Sequence, residues 1–275
     1  MNKVVLVGAG GKMGCRLTDN LKDSSYSVSY LEVGSEGLAR MHQRGVTAAK
    51  PEEVVPDADF VIFAVPDVAI RTVTSALVPL MKAGAMGVSL DPAAPLAGHL
   101  FDRSDITYFA THPSHPSVFN WEPEEQAHFD YFGGIAARQS IVCALVQGPE
   151  EMYAVGEELA KTIYAPVTVS HRITIEQMGI LEPALSETFA AAIVSVLKEG
   201  VDRVVELGVP KDAAYDFFLG HINIEMALLF GKLPGGQFSD AALKAIEIGK
   251  PLLFKENWKD VFEPENVKKQ ILAIT

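Results

Sequence analysis

Two histidines close together in the chain are the first residues whose chemistry stands out. His112 and His115 occur in the segment Thr111-His112-Pro113-Ser114-His115-Pro116, directly after a predicted strand that ends at Ala110. Imidazole can act as general acid, general base or metal ligand near neutral pH, and prolines stiffen the loop that carries it. A pair of solvated surface histidines is the alternative interpretation. Because ligands of open α/β sheets bind at the carboxyl ends of strands, we favour a catalytic role.

A carboxylate within a long predicted helix is the next candidate. Glu182 precedes Pro183, which lacks the N–H of a helical hydrogen bond and therefore predicts a kink that turns Glu182 inward. A carboxylate that converges with an imidazole forms a site suited to Zn²⁺ or Mg²⁺. A solvated glutamate on an amphipathic helix is the alternative. We take His112 and Glu182 as candidate metal ligands, and His112, His115 and Glu182 as candidate catalytic residues.

A glycine-rich loop near the N-terminus predicts a nucleotide site. The segment Val7–Gly14, VGAGGKMG, follows a predicted strand and opens a predicted helix. Glycines there allow a tight turn and bring backbone amides close to a pyrophosphate. A strict GxGxxG from Gly8 would need glycine where Met13 stands, so the match has one extra residue or is shifted to begin at Ala9. The loop residues expected to bind the cofactor are Gly8, Gly10, Gly11, Lys12, Met13 and Gly14.

Further cofactor contacts are expected at the ends of two later strands. Glu32 ends the second predicted strand, 18 residues after Gly14, where a carboxylate can accept hydrogen bonds from ribose hydroxyls. It would repel a 2′-phosphate, so NAD is favoured over NADP. Pro66 and Asp67 follow another strand and are expected beside the nicotinamide ribose, although a proline that simply ends the strand explains this turn equally well.

Short apolar runs alternate with helix-period segments through the first half of the chain. Runs that are apolar throughout, such as FVIFAV at 60–65, suit strands covered on both faces. We predict an α/β fold: an N-terminal Rossmann domain with a doubly wound, mainly parallel sheet over residues 1–170, followed by an all-α domain over 171–275. The long first helix of the second domain has more apolar surface than it needs alone, which predicts a homodimer.

The composition excludes several classes of protein. The 275 residues include 35 acidic and 23 basic ones, for a formal net charge of −12, which argues against binding to nucleic acid or to an anionic membrane. Two cysteines exclude a disulfide scaffold and a cysteine-rich zinc site. The N-terminus reads directly into a strand without a signal-peptide pattern, so we expect a cytoplasmic protein.

Several segments resemble a known enzyme family. The loop AGGKMG, the turn AVPD and the segment THPSHP resemble the superfamily of prephenate and 6-phosphogluconate dehydrogenases. Longer segments, among them VLVGAGGKMGCRLTDNL, THPSHPSVFN and PGGQFSDAALKAIE, are similar to the D-apionate oxidoisomerases. The lysine and asparagine that 6-phosphogluconate dehydrogenases carry on the long helix are absent here, where Glu182-Pro183-Ala184-Leu185-Ser186-Glu187 stands instead.

The resemblance implies NAD-dependent oxidation of a branched sugar acid, D-apionate, and its rearrangement to 3-oxo-isoapionate. That chemistry needs a base for a hydroxyl proton and benefits from a divalent cation, which strengthens the metal hypothesis for His112 and Glu182 and leaves His115 as alternative ligand or base. A simple or decarboxylating hydroxyacid dehydrogenase stays open as an alternative. So does a non-catalytic NAD-binding module.

Overall fold

A single mainly parallel sheet organises the first part of the chain. The computed structural model describes residues 2–275, and its strands follow the order β2-β1-β3-β4-β5-β6-β7 across the sheet. Every neighbouring pair is parallel except β5 and β6, which are antiparallel. The strands are β1 (Lys3–Val7), β2 (Ser27–Leu31), β3 (Phe60–Phe63), β4 (Met86–Ser89), β5 (Thr107–Pro113), β6 (Gln139–Gln147) and β7 (Val167–Arg172).

The central strands β1, β3, β4 and β5 are buried on both faces because helices cover the sheet. All four residues of β3 are buried, which is why this strand reads as a continuous apolar run. The predicted α/β fold with a helical second half is confirmed. The helices are α1 (Lys12–Lys22), α2 (Ser35–Gln43), α3 (Pro51–Val54), α4 (Asp67–Leu77), α5 (Ala93–Leu96), α6 (Glu125–His128), α7 (Met152–Ile163), α8 (Ile175–Gly179), a π-helix (Ile180–Ala191), α9 (Ala192–Glu206), α10 (Lys211–Leu229), α11 (Asp240–Leu253) and α12 (Pro264–Ile274).

The chain divides into two compact units at a different place from the predicted boundary near residue 170. One unit runs to Pro183 and includes Lys268–Thr275, and the other is Ala184–Val267. Met178 explains the difference, because its fully buried side chain clusters with Ala110 and Ala144 of the sheet. The first turns of the long helix therefore belong to the sheet unit.

Pro183 lies within a π-helix. The structure has this π-helix over Ile180–Ala191, and the predicted kink at Pro183 stays a prediction. Proline cannot donate the i→i−4 bond, and a π-helix accommodates that loss by pairing residues five apart. The continuous helical run Ile175–Glu206 is long and apolar enough to span a membrane by length and composition alone, and only 11% of its most apolar window is buried.

Candidate active site

The glycine loop is built as a close backbone approach. Gly8 has φ of +77°, a conformation that disfavours any residue with a Cβ, and its N–H donates to the carbonyl of Leu31 at 2.9 Å. A Cβ at Gly10 would clash with the carbonyl of Gly37. One at Gly14 would clash with the carbonyl of Gly8. The loop thus leads directly into the N-terminus of α1, an arrangement that fits a dinucleotide pyrophosphate.

Glu32 closes the loop from the end of β2. Its Oε2 accepts a hydrogen bond from the N–H of Gly10 at 3.0 Å, and its Oε1 accepts from Val33 and Gly34 at 2.8 and 2.9 Å. A carboxylate offers about four acceptor directions, so one remains after these three bonds. Glu32 therefore fixes the glycine loop and still has an acceptor for a ribose hydroxyl, which stays a prediction.

A cleft of about 350 Å³ joins the glycine loop to the carboxyl ends of β3, β4 and β5. Predicted cofactor residues and one predicted catalytic residue line the same space. The lining residues are Gly11, Lys12, Met13, Phe63, Ala64, Val65, Pro66, Asp67, Ile70, Ser89, Leu90, Asp91 and His112. Pro66 and Asp67 therefore share this cleft with the glycine loop, and their predicted position beside the nicotinamide ribose stays a prediction.

His112 is the penultimate residue of β5 and does not lie in a loop as predicted. β5 continues to Pro113 because it pairs with the antiparallel β6, with His112 opposite Val142. The Nδ1 of His112 lies 2.9 Å from the carbonyl oxygen of Leu90. A carbonyl only accepts, so Nδ1 is the donor of this hydrogen bond, and Nε2 is the ring nitrogen that faces Glu182. That is the arrangement of a metal-binding histidine.

Three ligand-type side chains converge at this point. The Nε2 of His112 lies 3.4 Å from Oε2 of Glu182, and Nδ1 lies 3.9 Å from Oδ2 of Asp91. One ligand atom of each of the three residues lies within 4.8 Å of the others, and the side chains are only 18–24% exposed. The predicted meeting of His112 and Glu182 is therefore observed. Asp91 was missed, because its position before Pro92 reads as a turn.

This donor set fits a divalent cation. One imidazole nitrogen and two carboxylate groups match the ligands of Zn²⁺, Mg²⁺ or Mn²⁺ and leave coordination positions for other oxygens. Two largely buried carboxylates close to each other also repel, and a positive charge between them relieves that repulsion. The neighbouring Asp67 has its pKa raised to about 6, by burial first and by the charge of Asp91 second.

His115 stands beside the cluster without joining it. Its ring centroid lies 6.2 Å from that of His112, and its Nδ1 lies 2.8 Å from the carbonyl oxygen of Phe132. By the same reasoning Nδ1 is the donor, which leaves Nε2 as the acceptor. Burial lowers the pKa of His115, and the neighbouring His112 and Arg16 add to this effect. The imidazole is thus neutral near pH 7 and can accept a proton.

Two buried carboxylates organise the segment 114–138, which carries His115 and Phe132. Oδ2 of Asp130 accepts hydrogen bonds from the N–H groups of Ile135, Ala136 and Ala137 at 2.9–3.1 Å. Oε1 of Glu122 accepts from the backbone N–H of Arg138 at 2.8 Å. Both carboxylates are less than a tenth exposed. They give this long segment one fixed shape.

Comparison with known proteins finds relatives that match over the whole chain. The profile for the NAD binding domain of 6-phosphogluconate dehydrogenase matches residues 3–95, and the profile for the phosphogluconate dehydrogenase (decarboxylating) C-terminal domain matches 120–275. The D-apionate oxidoisomerase of Rhizobium rhizogenes is 50% identical over 100% of both chains, and that of Cupriavidus necator is 49% identical over 99% of both. A crystal structure of a semialdehyde dehydrogenase NAD-binding protein from Cupriavidus necator, in complex with calcium and NAD, is 49% identical over 100% of both chains with a TM-score of 0.98.

Proposed function

This chain belongs to the D-apionate oxidoisomerase family, within the 6-phosphogluconate dehydrogenase superfamily, and we propose that it oxidises D-apionate with NAD⁺ and rearranges the product to 3-oxo-isoapionate. The observation that carries this proposal is the shared cleft, which is lined by the glycine loop and by Asp91 and His112, the two residues that cluster with Glu182. A redox cofactor beside a cation site is what an oxidation coupled to a skeletal rearrangement requires.

The two steps balance without another reactant. In the first, the C2–H bond breaks with hydride leaving for NAD⁺, and the C2 hydroxyl loses its proton, which gives a 2-oxo acid. In the second, the C3 hydroxyl loses its proton and becomes a carbonyl while the hydroxymethyl group migrates with its electron pair from C3 to C2. The C2 oxygen then takes up a proton and becomes a hydroxyl. No carbon is lost.

The residues of the cleft divide this work. The glycine loop and Glu32 would hold the dinucleotide, and Asp91, His112 and Glu182 would hold a divalent cation. Such a cation would supply Lewis acidity for the C2 carbonyl and the C3 hydroxyl. We assign His115 as the acceptor of the C2 hydroxyl proton, because its Nε2 is an acceptor and its pKa is lowered.

Substrate turnover and product analysis test the proposed reaction. We expect NADH formation from D-apionate, with 3-oxo-isoapionate as the product by NMR and no release of CO₂. Release of one CO₂ for each NADH would replace the proposal with a decarboxylating dehydrogenase. Tight NAD binding without turnover of D-apionate, 6-phosphogluconate or prephenate would support a non-catalytic module.

Metal content tests the cation site separately. Protein stripped with a chelator should bind one Mn²⁺ per chain by calorimetry and electron paramagnetic resonance, with Zn²⁺ and Mg²⁺ as competitors. Binding that persists unchanged in both Glu182→Gln and Asp91→Asn variants would rule out this cluster as the site.

We also propose that the second unit forms a homodimer. A cleft of about 830 Å³ between α9 and α10 is lined mostly by apolar side chains, and Phe217 and Val196 are 70% and 55% exposed. An exposed apolar surface of this size is unfavourable in water and is typical of an interaction site. The net charge of −12 disfavours an anionic membrane there, so a protein partner is the better fit. The apolar part of Ile175–Glu206 is then covered by a second copy. Sedimentation that gives a monomer at micromolar concentration would contradict this.

A further inference from the structure

An arginine next to the catalytic cleft has no anionic partner among the residues that the structure describes. Arg16 is half-buried on α1, and its guanidinium carbon lies 4.2 Å from the ring centroid of Phe132. Within residues 2–275 its side chain makes no hydrogen bond or ion pair. A guanidinium carries five N–H donors, and burying them without acceptors costs free energy unless a ligand satisfies them.

A second arginine shows what the usual solution looks like. The guanidinium carbon of Arg172 also lies 4.2 Å from a ring centroid, that of Tyr153. This guanidinium forms a bidentate ion pair with Glu150 as well. The aromatic stack is therefore common to both arginines, and the carboxylate is missing only at Arg16. The other arginine without a carboxylate partner in the described chain, Arg71, is exposed on α4.

The position of Arg16 connects it to the cleft. Arg16 lies one helical turn after Met13, on the same face of α1, and Met13 lines the catalytic cleft. Arg16 and Met13 also border a small crevice together with Phe132 and Pro113, the residue that follows His112. The guanidinium thus lies on the histidine side of the cleft.

The support beneath Arg16 is rigid. Phe132 holds His115 through its carbonyl oxygen and meets its ring edge-on, with centroids 5.6 Å apart. The turn that follows is fixed by Asp130 through three backbone amides. An arginine whose stem and stacking ring are both held in place is prepared to bind a planar anion with two parallel hydrogen bonds.

We propose that Arg16 binds the carboxylate of the sugar-acid substrate. This inference rests on the proposed function, which supplies a substrate with a carboxylate at C1 next to the reacting C2. With a divalent cation bound, the two carboxylates of the cluster balance its charge, so the cluster offers hydroxyl oxygens a Lewis acid but leaves no net positive charge for the substrate carboxylate. Arg16 supplies the complementary charge, so the substrate is held at C1 by the guanidinium while C2 and C3 face the cluster and the cofactor.

The test compares the acid with its uncharged amide. Steady-state kinetics of wild type, Arg16→Gln and Arg16→Lys should be measured with D-apionate and with D-apionamide. For Arg16→Gln we expect kcat/KM on the acid to fall by about 10²-fold, chiefly through KM, while kcat/KM on the amide changes by less than about threefold. The kcat/KM of Arg16→Lys on the acid should lie between those of wild type and Arg16→Gln, since lysine keeps the positive charge but cannot form two parallel hydrogen bonds.

Controls separate substrate binding from structural support. Arg172→Gln removes an arginine that stacks on an aromatic ring at the same distance, and it should leave kcat/KM unchanged for both the acid and the amide. NAD affinity and melting temperature of Arg16→Gln should match those of wild type. An equal loss on acid and amide would show that Arg16 only supports the segment 114–138, and an unchanged KM would overturn the proposal as well. Loss of acid preference in Arg71→Gln instead would move the carboxylate site to α4.

The two proposals can fail independently. If wild-type protein forms no NADH from D-apionate, the proposed reaction is wrong, and Arg16 is then judged by binding of glycerate, the smallest 2,3-dihydroxy acid of this type, to the NAD-loaded protein. Weaker binding of glycerate to Arg16→Gln than to wild type supports a carboxylate site. Equal binding by calorimetry rejects it.

Discussion

Two acidic corners of the same sheet edge use their carboxylates in opposite ways. At the end of β2, Glu32 is surrounded by donors and accepts three backbone hydrogen bonds. Beyond the end of β4, Asp91 lies with Glu182 of the π-helix around the imidazole of His112 on β5, and the nearby Asp67 has its pKa raised to about 6 by burial and by Asp91. The first corner meets its carboxylate with backbone N–H donors. The second gathers two carboxylates around one imidazole, and this is where we propose that a cation binds.

The largest expected effect comes from removing a member of the second corner. His112→Ala and Glu182→Gln should each lower turnover by about 10²–10⁴-fold, because the cation and the reacting oxygens lose their position. NAD affinity, measured by fluorescence titration, should stay within a factor of two. Glu187→Gln, an exposed glutamate of the same π-helix, is the matched control. A Glu182→Gln enzyme with wild-type turnover would remove the contrast between the corners.

The first corner should instead control affinity for the cofactor. Glu32→Ala leaves three amides without their acceptor and removes the ribose contact, so we expect the Kd for NAD⁺ to rise by about 10–100-fold and the preference over NADP⁺ to shrink. The measurement is a titration with both cofactors, with Glu52→Ala as an exposed control. An unchanged Kd would mean that Glu32 serves only the loop.

A glycine behind Glu32 gives a finer test of the same corner. A Cβ at Gly37 would fall on the Glu32 carboxylate, whereas one at Gly34 would lie at an ordinary 3.5 Å from Oε1. Gly37→Ala should therefore weaken NAD⁺ binding by about 3–10-fold through displacement of Glu32, and Gly34→Ala should not. Equal affinities for the two variants would show that Glu32 tolerates displacement.

The smallest effect concerns the charge at Asp67. A raised pKa means that the folded protein holds this proton more tightly than the unfolded chain, so the stabilisation is complete below about pH 4 and is lost as pH rises through about 6. Asp67→Asn should therefore gain melting temperature relative to wild type between pH 4 and 7, by at most about 2 °C because the group is half-exposed. Thermal unfolding with a chelator present measures this, with Asp23→Asn as an exposed control. A constant difference across this pH range would contradict the shift.

The same contrast explains what sequence reasoning can find. Glu32 and the glycine loop are local signals, since an acid at a strand end and glycines after a strand act through neighbouring residues. His112 and Glu182 were identified by residue type, and their meeting depends on the fold. Asp91 carries the same signal as Glu32, an acidic side chain shortly after a buried strand. The following Pro92 also makes the segment typical of a turn, so the aspartate by itself does not indicate a ligand.

Backbone details were harder to predict than residue roles. The extension of β5 past His112 follows from its antiparallel pairing with β6. The partner of His112 is Val142, 30 residues later in the chain, so nothing near the histidines indicates this pairing. The π-helix at Pro183 follows from how the surrounding turns absorb a missing hydrogen bond. Arg16 gave no signal in the sequence, because an arginine becomes informative only once its lack of a partner is known.

The carboxylate of Asp130 has a consequence for the energetics of substrate capture. Where a surface segment becomes ordered only when a ligand arrives, the entropy of that ordering is subtracted from the affinity. Here the carboxylate of Asp130 already accepts three backbone hydrogen bonds within residues 130–137. A small hydrophilic acid, which offers few atoms to hold, then meets a segment that is ordered beforehand, so the ordering of these residues is not subtracted from its affinity.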